Sequence, residues 1–190
     1  MDINWLPPDL FVSNAPLHLR ELMPHVKETS QGKTWYIGTT PFAPFGGSGV
    51  LSSGGDSYVP GVSKRFDRME EIGFFSDAIA GKFHPSTPEL RLRDQEIDGV
   101  GSEVIYGILG LSTAYGSQYA WNNGSSPSSL SIELDPNNSE ALATAYGIYN
   151  EWISEFCLNA PERFKGLACI TGTSPVVASK QLRRAADLGL

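Results

Sequence analysis

Cysteine and histidine are scarce in this sequence: it has two cysteines, Cys157 and Cys169, and three histidines among 190 residues. Two cysteines cannot build a disulfide framework, and by themselves they cannot form a zinc site. Each lies in an apolar stretch, which is typical of a small buried side chain. The disulfide-stapled and zinc-finger classes of small protein are therefore excluded.

Positive charge is also in deficit, since 14 lysines and arginines face 21 aspartates and glutamates, for a net charge of -7. A protein that binds nucleic acid or anionic lipid needs a basic face, so neither is an expected partner. Long apolar runs are missing as well. The longest, Val104 to Leu111, is too short to span a bilayer, and Met1 is not followed by a signal peptide. The sequence predicts a cytoplasmic protein without a membrane partner.

What the sequence does contain is enough apolar material for one core: 41% of its residues are hydrophobic. Its length predicts a single domain over residues 1–190. Glycine and proline are abundant, at 20 and 13 residues. They concentrate with serine and asparagine in two segments, which we predict as long mobile loops over about residues 38–64 and 112–136.

The hydrophobic periodicity predicts an alternation of helices and strands in the second half of the chain. We expect helices over 87–99, 137–156 and 174–189, each with a proline near one end, and strands over 103–106 and 167–171. In the first half, a short helix is expected over 16–23 and one strand of a hairpin over 33–37. Strands that are apolar along their whole length are typical of parallel sheets covered by helices, so an α/β fold is predicted.

Several segments resemble one known family, the amidohydrolase-related proteins, in the branch that includes aminocarboxymuconate-semialdehyde decarboxylase. PPDLF at 7–11 is similar to the family's opening proline–aspartate–leucine–aromatic segment. RDQEIDGV at 93–100 with EVIY at 103–106 resembles its first helix and second strand. YNEW at 149–152, PERFKGLA at 161–168 and LRRAADLGL at 182–190 resemble its later helix-to-strand passages.

The resemblance implies the N-terminal part of a (β/α)8 TIM barrel, incomplete in this chain and carrying long loop insertions. It also implies a metal-dependent hydrolase or decarboxylase that uses zinc or manganese on a small-molecule substrate. The chain departs from the family pattern where the first metal ligands are expected, since no histidine precedes Pro7 and only Asp2 could replace one. The later ligands would lie beyond Leu190. We therefore expect this chain alone to be inactive and to bind no metal of its own, and its catalytic and metal-binding residues stay unassigned.

Three residues are candidates for lining the substrate. In such a barrel, Tyr106 would end one strand, Thr171 would end the next, and Trp121 would lie in the loop between them. All three would border the mouth at the carboxyl ends of the strands, where barrel enzymes place their active sites.

The remaining titratable groups have simpler interpretations. His18, Glu21 and His25 could form a metal set, but Pro24 breaks the helix that would align them. His84 is interpreted as a solvated loop residue. Asp94 is predicted to pair on the helix surface with a neighbouring arginine.

A non-catalytic alternative stays open. A segment with only two or three parallel strands exposes apolar faces and unpaired backbone groups at its sheet edges. The chain would then be an interaction module that pairs through its open sheet edge, forming a homo-oligomer or joining a longer relative.

Overall fold

The computed structural model describes residues 5–30, 32–45, 69–108, 111, 115, 136–171 and 174–190. Its first half contains α1 (Leu10–Asn14), a 3-10 helix (Leu17–Leu22), β1 (His25–Thr29), β2 (Gly32–Ile37), β3 (Thr40–Pro44) and α2 (Phe74–Ile79). A second 3-10 helix (His84–Ser86) then leads to α3 (Pro88–Asp98), β4 (Glu103–Ile105), α4 (Pro136–Leu158), β5 (Phe164–Gly166) and α5 (Pro175–Asp187).

Strands β1, β2 and β3 form an antiparallel meander in that spatial order. Ile37 lies opposite Thr40, so only two residues join β2 to β3. One of them, Gly38, has a φ of +58°, a left-handed conformation that such a tight turn requires. Trp35, at the centre of β2, is fully buried. The predicted hairpin strand over 33–37 is confirmed.

Helix α4 is the centre of the core. Its sequence places apolar residues at three- and four-residue intervals, and the side chains of Leu142, Ala145, Tyr149, Ile153 and Phe156 are buried as this spacing predicts. The same helix contacts α1, the first 3-10 helix and β5. One amphipathic element thus joins the N-terminal helices to the parallel strands.

Strands β4 and β5 pair in parallel, with Val104 opposite Lys165. Helix α4 lies between them in the chain, so the three elements form a βαβ unit. Ile105 and Phe164 point into the core, and the ring of Phe164 lies 5.0 Å from that of Phe156 on α4. Val104 is on the other face of β4, where it is 51% exposed. The sheet is therefore covered on one face, whereas the sequence predicted burial on both.

The prediction of an α/β fold that forms the N-terminal part of a TIM barrel is wrong. The described residues form a small mixed structure, with a three-stranded antiparallel sheet and a separate two-stranded parallel sheet, and they contain no eight-stranded parallel arrangement. Two local features of the chain explain this difference from the predicted fold. The short connections in the meander force antiparallel pairing, and β4 and β5 are only three residues long.

Several boundaries also differ from the predictions. Thr40–Pro44, inside the first predicted loop, is strand β3, and the second parallel strand is Phe164–Gly166 instead of 167–171. The predicted helices 87–99, 137–156 and 174–189 correspond to α3, α4 and α5 within about two residues. On α5, Ala185 is buried and Leu182 is 60% exposed. No helix in the described ranges has the length and apolar character needed to cross a bilayer.

Candidate functional site

The backbone segments that follow the carboxyl ends of β4 and β5 lie side by side. The backbone N–H of Leu167 donates to the carbonyl of Ile105 at 3.0 Å. Further along, Gly107 and Cys169 are so close that a Cβ atom on Gly107 would lie 2.2 Å from the Cys169 Sγ. A side chain at position 107 would therefore force the Cys169 thiol to move, and glycine avoids this collision.

Two polar side chains of α4 hold these strand ends in place. The Asn150 amide bonds twice to the backbone of Cys169: its Nδ2 donates to the carbonyl at 2.9 Å, and its Oδ1 accepts from the N–H at 2.8 Å. The Tyr149 hydroxyl donates to the carbonyl of Tyr106 at 3.2 Å. Burial raises the pKa of Tyr149 above its ordinary value, so the phenol keeps its proton and stays a donor. Neighbouring residues of one helix thus fix both strand ends.

Of the three predicted substrate-lining residues, Tyr106 and Thr171 can be placed. Tyr106 is 63% exposed directly after β4. Thr171 is only 2% exposed, and both its backbone N–H and its hydroxyl donate to the Oε1 of Gln181 on α5, at 2.9 Å each. Trp121 lies outside the described residues. The contacts of Thr171 with Gln181 anchor α5, whereas the side chain of Tyr106 is accessible from solvent.

A zinc or manganese ion does not fit the side chains at these strand ends. No group of three or more His, Cys, Asp or Glu residues in the described ranges is arranged to hold a metal ion. The thiols of Cys157 and Cys169 lie near these strand ends, and burial raises the pKa of both, that of Cys169 to about 11. A metal requires the thiolate, which this environment disfavours. We therefore assign no metal ligand and no metal-dependent step to these residues.

His84, interpreted from sequence as a solvated loop residue, is instead buried, at 1% exposure. Its Nδ1 lies 2.6 Å from the Oδ2 of Asp94 on α3, and its Nε2 lies 2.9 Å from the Oδ2 of Asp77 on α2. The imidazole therefore links two helices through two carboxylates. Because both ring nitrogens are engaged, His84 is not free to act as a metal ligand or a general base.

The surroundings of this cluster are aromatic on one side and cationic on the other. The ring of Phe74 lies 5.0 Å from that of His84. The Arg93 guanidinium lies 3.7 Å from the Oδ1 of Asp94, an oxygen that is buried without a hydrogen-bond partner. Asp94 was predicted to pair with an arginine on the helix surface; it approaches Arg93 in this way but bonds to His84. The ten-residue separation of His84 from Asp94 gave no local signal for this contact.

His18, Glu21 and His25, a metal set that Pro24 was expected to disrupt, are divided between two elements. His18 and Glu21 lie on the first 3-10 helix, and His25 begins β1. The Nε2 of His18 lies 3.4 Å from the Oε1 of Glu140 on α4, at the exposed surface. The His25 Nδ1 bonds to the carbonyl of Met23 at 3.0 Å.

Comparison with known proteins adds no relative: no family model matches the chain, and no curated protein matches it. The resemblance to amidohydrolase-related proteins therefore depends on the chain's own segments, taken together and in their order.

We expect Gly107→Ala to destabilise the protein by about 1–3 kcal/mol, because the new methyl group overpacks against Cys169. Replacing the thiol as well, in Gly107→Ala/Cys169→Ala, should recover part of this loss, whereas additive effects would contradict the contact. Gly101→Ala is the matched control, since nothing lies within 4 Å of a Cβ there. Urea denaturation of the wild type, of these three variants and of Cys169→Ala measures these differences.

A second prediction concerns acid stability. The hydrogen bond with His84 holds the pKa of Asp77 below its ordinary value. A carboxylate with a depressed pKa adds stability above about pH 4, and this stability is lost as the pH falls below that value. The free energy of unfolding should therefore fall more between about pH 5 and pH 3 in the wild type than in Asp77→Asn.

Asp98→Asn is the control for this measurement. Asp98 is an exposed carboxylate at the end of α3. This variant should keep the acid dependence of the wild type in denaturant titrations at each pH. Equal acid slopes for the wild type and Asp77→Asn would contradict the assigned role of the Asp77–His84 bond.

Proposed function

We propose that the chain binds the small-molecule substrate of a hydrolysis or a decarboxylation, of the kind that amidohydrolase-related proteins perform. The observation that carries this proposal is the parallel βαβ unit, whose two carboxyl strand ends lie side by side next to the exposed Tyr106. In open parallel sheets, ligands bind beyond the carboxyl ends of the strands. The segments at 103–106 and 161–168, which carry much of the resemblance, contain both strands of this unit.

The proposed substrate is a small organic acid with an aromatic or unsaturated part, which can stack on the Tyr106 ring. Zinc or manganese remains the metal of the proposed chemistry, but the described side chains do not fit it. The chain by itself is therefore proposed to bind substrate without turning it over. We propose a cytoplasmic location, with Cys157 and Cys169 both present as free thiols in support.

The test is the binding of benzoate, followed by ligand-detected NMR. We expect Tyr106→Ala to weaken binding about three- to tenfold, because the stacking surface is lost. Val104→Ala is the matched control: Val104 is on the same exposed face of β4 but two residues farther from the strand end. Equal affinities for the wild type and Tyr106→Ala would contradict the proposed binding face.

Metal analysis of the same purified protein separates binding from catalysis. After dialysis against zinc or manganese, we expect less than about one tenth of an equivalent of bound metal, and no loss of carbon dioxide from added aromatic acids. Stoichiometric metal with turnover would show that the chain is a complete catalyst.

A second candidate function is self-association, which a specific observation favours. Val104, Tyr106 and Leu167 are exposed on the outer face of β4 and β5. Within the described ranges, each of these strands also has one edge without a neighbouring strand. Apolar side chains next to unpaired backbone groups are typical of an edge that pairs with another chain. The proposed partner is a second copy of this protein.

Sedimentation velocity across the micromolar range tests this candidate. We expect a reversible dimer in the wild type and a monomer in Val104→Asp, because a carboxylate cannot be buried unpaired at the interface. Leu17→Asp should still dimerise, since Leu17 is a more exposed apolar residue on the first 3-10 helix, away from the parallel sheet. A wild-type monomer at every concentration would contradict self-association.

A further inference from the structure

A wide hollow lies between the first 3-10 helix and strand β1. It is wide open to solvent, and about 500 Å³ of space lies between its walls. Its lining includes Val12, Arg20, His25, Lys27 and the backbone of Gly38. None of these residues belongs to the ends of β4 and β5, so the hollow is separate from the proposed substrate face.

The hollow collects basic side chains in a protein whose net charge is -7. Arg20 and Lys27 are positively charged at neutral pH, and His25 adds a further ring nitrogen. One carboxylate, that of Glu21, also borders the hollow. The net charge of the side chains around the hollow is therefore positive, whereas that of the whole molecule is negative. A positive local charge attracts anions.

Arg20 is held with its charge available. Its Nε donates to the carbonyl of Ala15 at 3.2 Å, which fixes the plane of the guanidinium. The two Nη groups make no hydrogen bond to other residues in the part of the chain that the structure describes. A guanidinium with two free amino groups can donate a parallel pair of hydrogen bonds to a carboxylate or a phosphate.

His25 and Lys27 are held by one aromatic ring. The imidazole stacks on Tyr36 with the ring centres 6.3 Å apart, and the Lys27 Nζ lies 5.0 Å from the centre of the same ring. The Lys27 Nζ also donates to the carbonyl of Gly38 at 3.0 Å. Since the His25 Nδ1 donates to the carbonyl of Met23, the Nε2 of the neutral ring is an acceptor, so the donors toward an anion are Arg20 and Lys27. Both side chains are thus oriented before any ligand arrives, which lowers the entropic cost of binding.

We propose that this hollow is a binding site for a small oxyanion. The chemistry that it recognises is shared by a carboxylate and by a phosphate: two or more oxygen atoms that accept hydrogen bonds from Arg20 and Lys27. Glu21 restrains the affinity by repelling the same ligand. The site does not depend on the function proposed above.

The test is calorimetric titration with inorganic phosphate and, separately, with acetate, supported by amide chemical shifts. We expect saturable binding of at least one of these anions, with shifts in β1 and the first 3-10 helix. Binding of phosphate alone would identify a phosphate site, and binding of acetate alone would identify a carboxylate site. If neither saturates by about 20 mM, the proposal is wrong.

Substitutions at the neighbouring residues Arg20 and Glu21 should change the affinity for the anion in opposite directions. Arg20→Gln is expected to weaken binding about tenfold, and Glu21→Gln to tighten it about threefold, because the first removes an attraction and the second a repulsion. Arg20→Lys, which keeps the charge but loses the planar fork, should fall between the wild type and Arg20→Gln.

Arg183→Gln is the matched control. It removes the same charge from an exposed position on α5 that does not line the hollow. It should leave affinity unchanged. Equal weakening by Arg20→Gln and Arg183→Gln would show that only net charge matters, and this would overturn the proposal.

Discussion

The structure depends on the burial of one helix, α4, against partners that lie far apart in the sequence. Its apolar side covers α1 and the first 3-10 helix, and it also covers the inner face of β4 and β5. The pair of short strands could not be stable in isolation, because three residues in each strand bury too little apolar surface to offset the entropy lost on ordering them. The parallel sheet exists because α4 supplies the surface on which it packs.

The polar residues of α4 extend the same constraint to the strand ends. Asn150 is buried, yet its amide satisfies both the N–H and the carbonyl of Cys169. A buried amide would be costly without such partners, and with them it specifies which backbone lies next to the helix. Tyr149 acts in the same way on the carbonyl of Tyr106. The helix therefore sets the position of the strands as well as their stability.

Periodicity and helix boundaries predicted α3, α4 and α5 well, because these signals are local: proline at the start of α3 and α5, glycine after α3, and regular apolar spacing in α4. The overall topology was not predictable in this way. Whether an apolar strand is covered on one face or on both depends on what packs against it. The side chains of Val104 and Leu167 therefore do not reveal whether they are buried.

The candidate site divides along the same line. The place of Tyr106 at the end of β4 was predicted from sequence, but the burial of His84 was not, because its partners Asp77 and Asp94 come from two different helices. A histidine next to a proline in a loop is typical of a solvated residue, and only tertiary packing reverses that expectation. The hydroxyl of Thr171 is likewise occupied by Gln181, which lies ten residues away on α5.

A line of aromatic rings connects the antiparallel meander to the His84 cluster. Trp35 contacts Phe45, Phe45 contacts Phe83, and Trp5 lies between Phe83 and Phe74, which touches His84; successive ring centres are 5.0–5.8 Å apart. Because each ring contacts the next, a change of size at any one ring would disturb the packing of its neighbours. A repacking of the meander would therefore extend to the α2–α3 region.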